Sequence, residues 1–344
     1  MTQRIVLATS FAARWQADLK GAFRSPRKLG ESLGLPEPMI LAAEAATPEH
    51  FPFLVTRQFA ARMQPGRIDD PLLLQIWPSD GAPNAAAPAG GLFEDDPVGD
   101  AGAVAVAGLL HKYRGRVLLV TSGACAIHCR YCFRQHFDYA ASPRSLQEWQ
   151  PAIDYVASDL SIREVILSGG DPLMIVDARL EQLVAQFAAS PHVLRLRIHT
   201  RLPVVLPSRV DAALVDWLDR CRLSKWVVVH CNHAAEIDAD VAAALDRLRR
   251  CGCTILNQAV LLAGVNDSVD SQLELCERLI DCNVVPYYLN QLDRVRGAER
   301  FAADDAKALE IIESLRRNLP GYAVPRLVQE RAREPYKTPL EHIR

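Results

Sequence analysis

Two hydrophobic rhythms alternate along the chain from residue 116 onward. Apolar, β-branched runs at 116–121, 164–168, 193–200, 225–231, 254–260 and 284–290 read as buried strands. Between them, 146–160, 178–189, 209–221, 238–250 and 271–281 carry apolar residues at helical spacing, and 304–318 repeats that pattern after the sixth strand. Strands alternating with helices in this way predict βαβ units and a parallel sheet. Six units fit either an open doubly wound sheet or a partial barrel. The polar residues favour the barrel, because nearly every strand delivers them at its C-terminal end. A cysteine loop follows the first strand, and Asp171 the second. His199 and Arg201 close the third; His230, Asn232 and His233 the fourth; Asn257 and Gln258 the fifth; Gln291 and Asp293 the sixth. In a parallel barrel the strand C-termini form one mouth where chemistry is assembled, whereas an open sheet gathers ligands at one switch point. The expected fold is therefore α/β, a partial (β/α)6 barrel over 108–320. It is preceded by an N-terminal helical region and linker (1–107) and followed by a C-terminal segment (321–344) containing a β-like run at 323–329. Within the first part, 78–107 turns to Pro, Gly and Ala with Glu94, Asp95 and Asp96, and reads as a loop.

Composition narrows the setting. Of 344 residues 49% are hydrophobic, enough for a large core. The net charge of -2 gives no electrostatic case for nucleic acid. No apolar run reaches the roughly 18 residues that suggest a membrane span. The N-terminus mixes Arg4, Arg14, Asp18 and Lys20 with apolar residues and lacks a signal-peptide core, as expected of an amphipathic helix in a cytoplasmic protein. Nine cysteines form an odd set, three of them within eight residues, which suits a reducing compartment better than a disulfide framework. Cys221, Cys231, Cys251, Cys253, Cys276 and Cys282 sit in apolar periodic segments and read as small buried hydrophobes.

The remaining three carry chemistry. Cys125-Ala-Ile-His-Cys129-Arg-Tyr-Cys132 is a C-x3-C-x2-C spacing directly after the first strand. Thiolates on a short loop converge on one soft-metal centre. A [4Fe–4S] cubane takes four cysteines as a rule; with three, the fourth iron is free for another ligand, and S-adenosylmethionine (SAM) can chelate it through its amino and carboxylate groups. The alternative is a zinc knot with His128 or His136 as fourth ligand, although zinc motifs usually pair two separated arms. Ser168-Gly169-Gly170-Asp171-Pro172 ends the second strand, and its glycines admit a close backbone approach; a plain turn has the same composition. There are six lysines. Lys20, Lys28 and Lys307 belong to helical patterns, Lys225 begins the fourth strand at the wrong end, and Lys112 precedes the first. If one of them holds pyridoxal phosphate (PLP) as a Schiff base, elimination points to Lys337, whose other reading is a solvated tail residue.

Over almost its whole length the sequence resembles the lysine 2,3-aminomutase family of PLP-dependent radical SAM enzymes. The matching stretches include Phe51-Pro-Phe-Leu-Val, Arg62-Met-Gln-Pro-Gly66, Asp70-Pro-Leu-Leu-Leu-Gln75 and His111-Lys-Tyr-Arg-Gly-Arg-Val117. They continue through the cysteine loop, Ser168–Pro172, Arg201-Leu-Pro-Val-Val-Leu-Pro207, Asn257-Gln-Ala-Val-Leu-Leu262, Gly264-Val-Asn-Asp267 and Pro286-Tyr-Tyr288. The resemblance implies a radical SAM barrel and a [4Fe–4S] cluster on Cys125, Cys129 and Cys132. It implies that Ser168, Gly169, Gly170 and Asp171 hold the methionine amino group of SAM, and that Lys337 in the C-terminal segment carries PLP. It implies further that Arg134 grips the substrate carboxylate and that Asp293 and Glu330 hold the ε-ammonium of lysine; Glu330 stands where an Asp is more usual. The implied reaction is an isomerisation of (S)-α-lysine to (R)-β-lysine, with an electron donor such as flavodoxin. Ser268 in place of a zinc-site cysteine, and the ending Glu334-Pro-Tyr-Lys337-Thr-Pro-Leu340, resemble the enzyme that supplies β-lysine to a ligase modifying elongation factor P. The other readings left open are an aminomutase acting on free lysine or another amino acid, a PLP-independent radical SAM enzyme such as a methyltransferase, and a non-catalytic zinc protein.

Overall fold

The computed structural model describes residues 14–79 and 92–340. Its centre is one ten-stranded sheet whose spatial order follows the sequence, β1 to β10. β1 (Val104–Val106), β2 (Leu109–Tyr113) and β3 (Arg116–Ser122) pair antiparallel in succession. From β3 through β4 (Glu164–Gly169), β5 (Arg195–Thr200), β6 (Ser224–Val229), β7 (Cys253–Val260), β8 (Val285–Asn290) and β9 (Arg326–Gln329) every pairing is parallel. β10 (Thr338–Pro339) then returns antiparallel along β9. Among the described residues no pairing joins β1 to β10, so the barrel is partial. The six expected strands are all present within a few residues of their expected bounds. The β-like run near the C-terminus adds a seventh to the parallel set. The hairpin β1–β2 was not anticipated, because its period-2 signal is only three to five residues long.

Burial explains why the sheet surrounds a cavity. β5 alternates half-buried Arg195, Arg197 and His199 with buried Leu196, Ile198 and Thr200, and β7 alternates in the same way. Successive side chains of a strand point to opposite faces. One face is sealed by apolar side chains under helices; Arg197, His199, Gln258 and Val260 on the other line a cavity. The covering helices bury single stripes, as in Asp177–Ala188 through Leu180, Leu183, Val184 and Phe187. Four of them begin at side-chain caps: Asp211, Asp238, Ser268 and Asp304 each accept from a backbone N–H of the first turn.

The N-terminal region is built onto the same core. Short helices Pro26–Leu33, Glu37–Ala45, Arg57–Ala60 and Pro71–Leu74 precede the sheet. Leu54 and Gln75 carbonyls accept the backbone N–H groups of His128 and Arg130, both at 2.9 Å, so this region clasps the cysteine loop. Residues 80–91 of the Pro- and Gly-rich stretch, and Arg4 in the expected N-terminal helix, lie outside the described residues. Residues 92–100 of that stretch are irregular, as expected, yet pinned, whereas Ala101–Ala103 forms a 3-10 turn and Val104–Val106 forms β1 where a loop was expected. Glu94 exchanges backbone hydrogen bonds with Arg294 and Arg296 (3.0 and 3.1 Å), and residues 92–103 run on to the mouth of the barrel.

Candidate active site

One cavity of about 720 Å³ opens inside the sheet. Its walls include all eleven residues expected to hold the cluster, SAM, PLP or substrate: Cys125, Cys129, Cys132, Arg134, Ser168, Gly169, Gly170, Asp171, Asp293, Glu330 and Lys337, but not His136, Asn232, His233, Asn257 or Gln291. These come from the loop after β3, the end of β4, the loop after β8, and the tail beyond β9. The chain brings them together because parallel strands present all their C-terminal ends to one side.

All three loop cysteines are free and half-buried. Burial pushes the Cys125 thiol up, followed by the repulsion of Cys132. Burial likewise pushes Cys132 up to about 12, with Cys129 the next cause. Cys125 and Cys132, pushed up in this way, need a positive centre beside them to ionise, which is what an iron cluster would supply. Among the described residues no group of three His, Cys, Asp or Glu side chains, the loop cysteines included, is arranged to hold a single metal ion, and His136 Nε2 lies 3.1 Å from the Arg296 carbonyl oxygen. His128 instead has its Nδ1 2.6 Å from the Pro52 carbonyl oxygen.

The glycines of the β4 end have a clearer reason than open approach to a ligand. A Cβ on Gly169 would lie 2.6 Å from the Ser122 carbonyl oxygen, and one on Gly170 2.6 Å from that of Ala124. Gly169 also has a φ of 117°, open to glycine. The N–H groups of Gly170 and Asp171 donate to those same two carbonyls, at 2.6 and 2.8 Å. The segment is thus packed against the start of the cysteine loop, and any other residue would push that loop away. The Asp171 carboxylate accepts from Thr200 Oγ1 and from the backbone N–H groups of Leu173, Arg201 and Leu202. Burial raises its pKa to about 6 against these bonds. Its oxygens are spent on holding the ends of β4 and β5 in place.

A run of alternating charges also lines the cavity. Buried Arg134 donates from Nε to Asp100 (2.8 Å) and from NH1 to Ser168 Oγ (3.1 Å). Asp100 also binds Lys112 Nζ at 2.6 Å, and its carboxyl stays below the usual range despite burial because Arg134 and Lys112 flank it. Lys112 stands 3.8 Å from Glu330, which pairs with Lys337 Nζ at 3.1 Å and accepts from the Tyr113 hydroxyl. Lys337 donates to Asn290 Oδ1 at 3.0 Å. Asp293 is different: among the described residues its carboxylate has no hydrogen-bond or ion-pair partner, and burial raises its pKa to about 6, with Lys337 pulling the other way. Asp100, Lys112, Tyr113 and Asn290 were not expected here. Lys112 sits on the unanticipated hairpin, and Asp100 in a stretch whose composition reads as solvated loop.

Two cavity-lining side chains have a buried nitrogen without a partner among the described residues, His199 Nε2 and Arg201 Nε. Unpaired buried donors or acceptors are rare in proteins and suit a site completed by a bound group. The donor set therefore fits a thiolate-held cluster and a polar organic cofactor.

Comparison with known proteins agrees with this geometry. The family described as 4Fe-4S single cluster domain matches residues 114–194, which include the three cysteines and the β4 end. An L-lysine 2,3-aminomutase of Escherichia coli K12 is 42% identical over 341 residues, covering 99% of this chain and 98% of that protein. The chain belongs to the lysine 2,3-aminomutase family. Within this family of isomerases, the L-lysine 2,3-aminomutase of Haemophilus influenzae is 42% identical over 94% of both chains. That of Clostridium subterminale is 36% identical over 83% of this chain and 68% of its own length. Among the described residues no helix is long and apolar enough to cross a membrane.

Proposed function

We propose that this lysine 2,3-aminomutase family member converts (S)-α-lysine to (R)-β-lysine, with a [4Fe–4S] cluster on Cys125, Cys129 and Cys132, SAM beside it, and PLP on Lys337. The observation that carries the reading is the convergence of all eleven candidate residues, from four separate segments, on one cavity. When bound, the cluster and SAM would supply a radical that removes a substrate hydrogen, and PLP an electron sink through which the amino group can move from C2 to C3.

The chain's own residues divide the remaining work. Lys337 is held by Glu330 and Asn290 with its ammonium in the cavity, placed for covalent attachment of PLP. Ser168, Gly169 and Gly170 offer polar backbone and a hydroxyl beside the cysteine loop for the amino group of SAM, while Asp171 fixes that segment from behind. Arg134 has Nε engaged by Asp100 and NH1 by Ser168, which fixes the guanidinium plane and leaves NH2 for a substrate carboxylate. Asp293, half-buried and unpaired among the described residues, is the cation partner at the opposite end of the substrate. Since Glu330 already serves Lys337, Lys112 and Tyr113, Asp293 carries the larger share of lysine's ε-ammonium. The walls hold the reactants in line and keep water from the radicals.

The reducing electron would come from a flavodoxin-like donor in the cytoplasm. The product would pass to a ligase acting on elongation factor P, a destination supported by Ser268 and the Glu334-Pro-Tyr-Lys337-Thr-Pro-Leu340 motif. To test PLP attachment, the purified protein is reduced with borohydride and the labelled peptide mapped. A label on Lys337 is expected; a protein that carries no PLP would leave the PLP-independent radical SAM reading in its place.

A further inference from the structure

Beside the cysteine loop lies a buried polar network that neither the cluster ligands nor the substrate residues explain. Arg201, just past β5, reaches Cys129 Sγ and the Tyr131 hydroxyl (2.8 Å) with NH1, and Gln75 Oε1 (2.7 Å) and Glu236 Oε2 (2.9 Å) with NH2. Glu236 is wholly buried. Its other oxygen accepts from Gln75 Nε2 and from the backbone N–H groups of Asn232 and His233. Asn232 Nδ2 donates to Gln75 and to Tyr131. Arg62 approaches Glu236 only through its backbone carbonyl, and pairs its charge with Asp238 at 3.7 Å. A buried ion pair is costly to desolvate and contributes little net stability, so its placement needs another reason. The pair is oriented: the cation touches the sulfur and the anion lies behind it.

We propose that the Arg201–Glu236 pair sets the reduction potential of the cluster, with Arg201 as a positioning residue acting through Cys129. Adding an electron to a thiolate-held cluster adds negative charge next to Arg201. A cation and an N–H donor at the sulfur stabilise the reduced form, and the anion behind them tempers that effect. Charge and hydrogen bonding thus leave the potential as a balance of two opposed contributions. The inference rests on the assignment of Cys129 as a cluster ligand.

The test is an anaerobic redox titration of the reconstituted protein without SAM, followed by electron paramagnetic resonance and accompanied by iron and sulfide analysis. Arg201→Gln should move the midpoint to more negative potential at full iron content, Arg201→Lys should restore part of the shift, and Glu236→Gln should move it to more positive potential. Opposite signs from two neighbours are not produced by a merely structural role. If Arg201→Gln fails to fold or to hold iron, Glu236→Gln decides alone. Unmoved midpoints at full iron content, or shifts of the same sign, overturn the inference while leaving the cluster assignment intact. Full iron retention in Cys129→Ala would instead overturn the assignment on which it rests.

Discussion

Asp293→Asn is the substitution that separates substrate recognition from cofactor assembly. In the cavity, Glu330 is engaged by Lys337, Lys112 and Tyr113, whereas Asp293 has no partner among the described residues. An incoming ε-ammonium would therefore find one uncommitted carboxylate. Removing one partner of a buried charge pair costs about 2–5 kcal/mol, equivalent to roughly 30-fold to several thousand-fold in kcat/KM for lysine. Burial holds the Asp293 carboxyl near 6, so it is ionised at pH 8 and loses its charge as pH falls through about 6. Lysine's ammonium stays protonated throughout, so the KM of the wild type should rise on the acid side and that of Asp293→Asn should not follow. A second consequence has a fixed sign. The folded-state pKa lies above the value of about 3.9 for an unperturbed Asp, so this group favours the fold below that value and destabilises it above about 6. The Asn variant should melt higher than wild type at pH 8 in the absence of ligands, and gain nothing near pH 4. The assay is steady-state turnover from pH 8 to pH 5, with iron and PLP content measured in the same samples. A variant with wild-type kcat/KM, or one that keeps the acid limb, would refute the assignment of Asp293 as the cation partner.

Changing Cys125, Cys129 or Cys132 to Ala should abolish iron and sulfide binding without unfolding the barrel, by metal analysis and circular dichroism, while Cys276→Ala should leave iron content unchanged. Lys337→Ala should eliminate the borohydride-trapped PLP adduct and Lys112→Ala should retain it; the reverse result would move the covalent site to the β2 lysine. Gly170→Ala places a Cβ 2.6 Å from the Ala124 carbonyl oxygen, so it should impair cluster assembly as read by iron content, with a change in melting temperature no larger than an ordinary strained loop gives. Asp100→Asn releases Arg134 and Lys112 from their shared carboxylate; it should raise the KM for lysine more than it lowers kcat.

The parallel strands were legible because each expected one is a continuous or alternating apolar run bounded by a helical pattern, set by burial on the helix-facing side. The candidate site was legible in part for the same reason: polar residues that interrupt such runs at strand ends have few structural uses. What stayed hidden depends on contacts that close over long separations. Asp100 belongs to a stretch rich in Pro and Gly, and only its meeting with Arg134 and Lys112 gives it meaning. Lys112 looked displaced from the mouth because the hairpin carrying it was too short to read. Gly170 reads as a place where a ligand can approach, and its packing against the backbone of the cysteine loop is a further constraint that only the fold reveals. Arg201 was noted as a strand-end residue, but its pairing with Glu236, 35 positions away, left no periodic signal.

The central claim is the reaction itself. The decisive measurement is anaerobic incubation of the cluster-loaded protein with (S)-α-lysine, SAM, PLP and a chemical reductant, followed by chiral separation of the amino acids formed. The account predicts (R)-β-lysine that accumulates only when all four are present, with glutamate and alanine left unconverted. Lysine recovered unchanged from protein with full iron and PLP content, or glutamate turned over as readily as lysine, would contradict it.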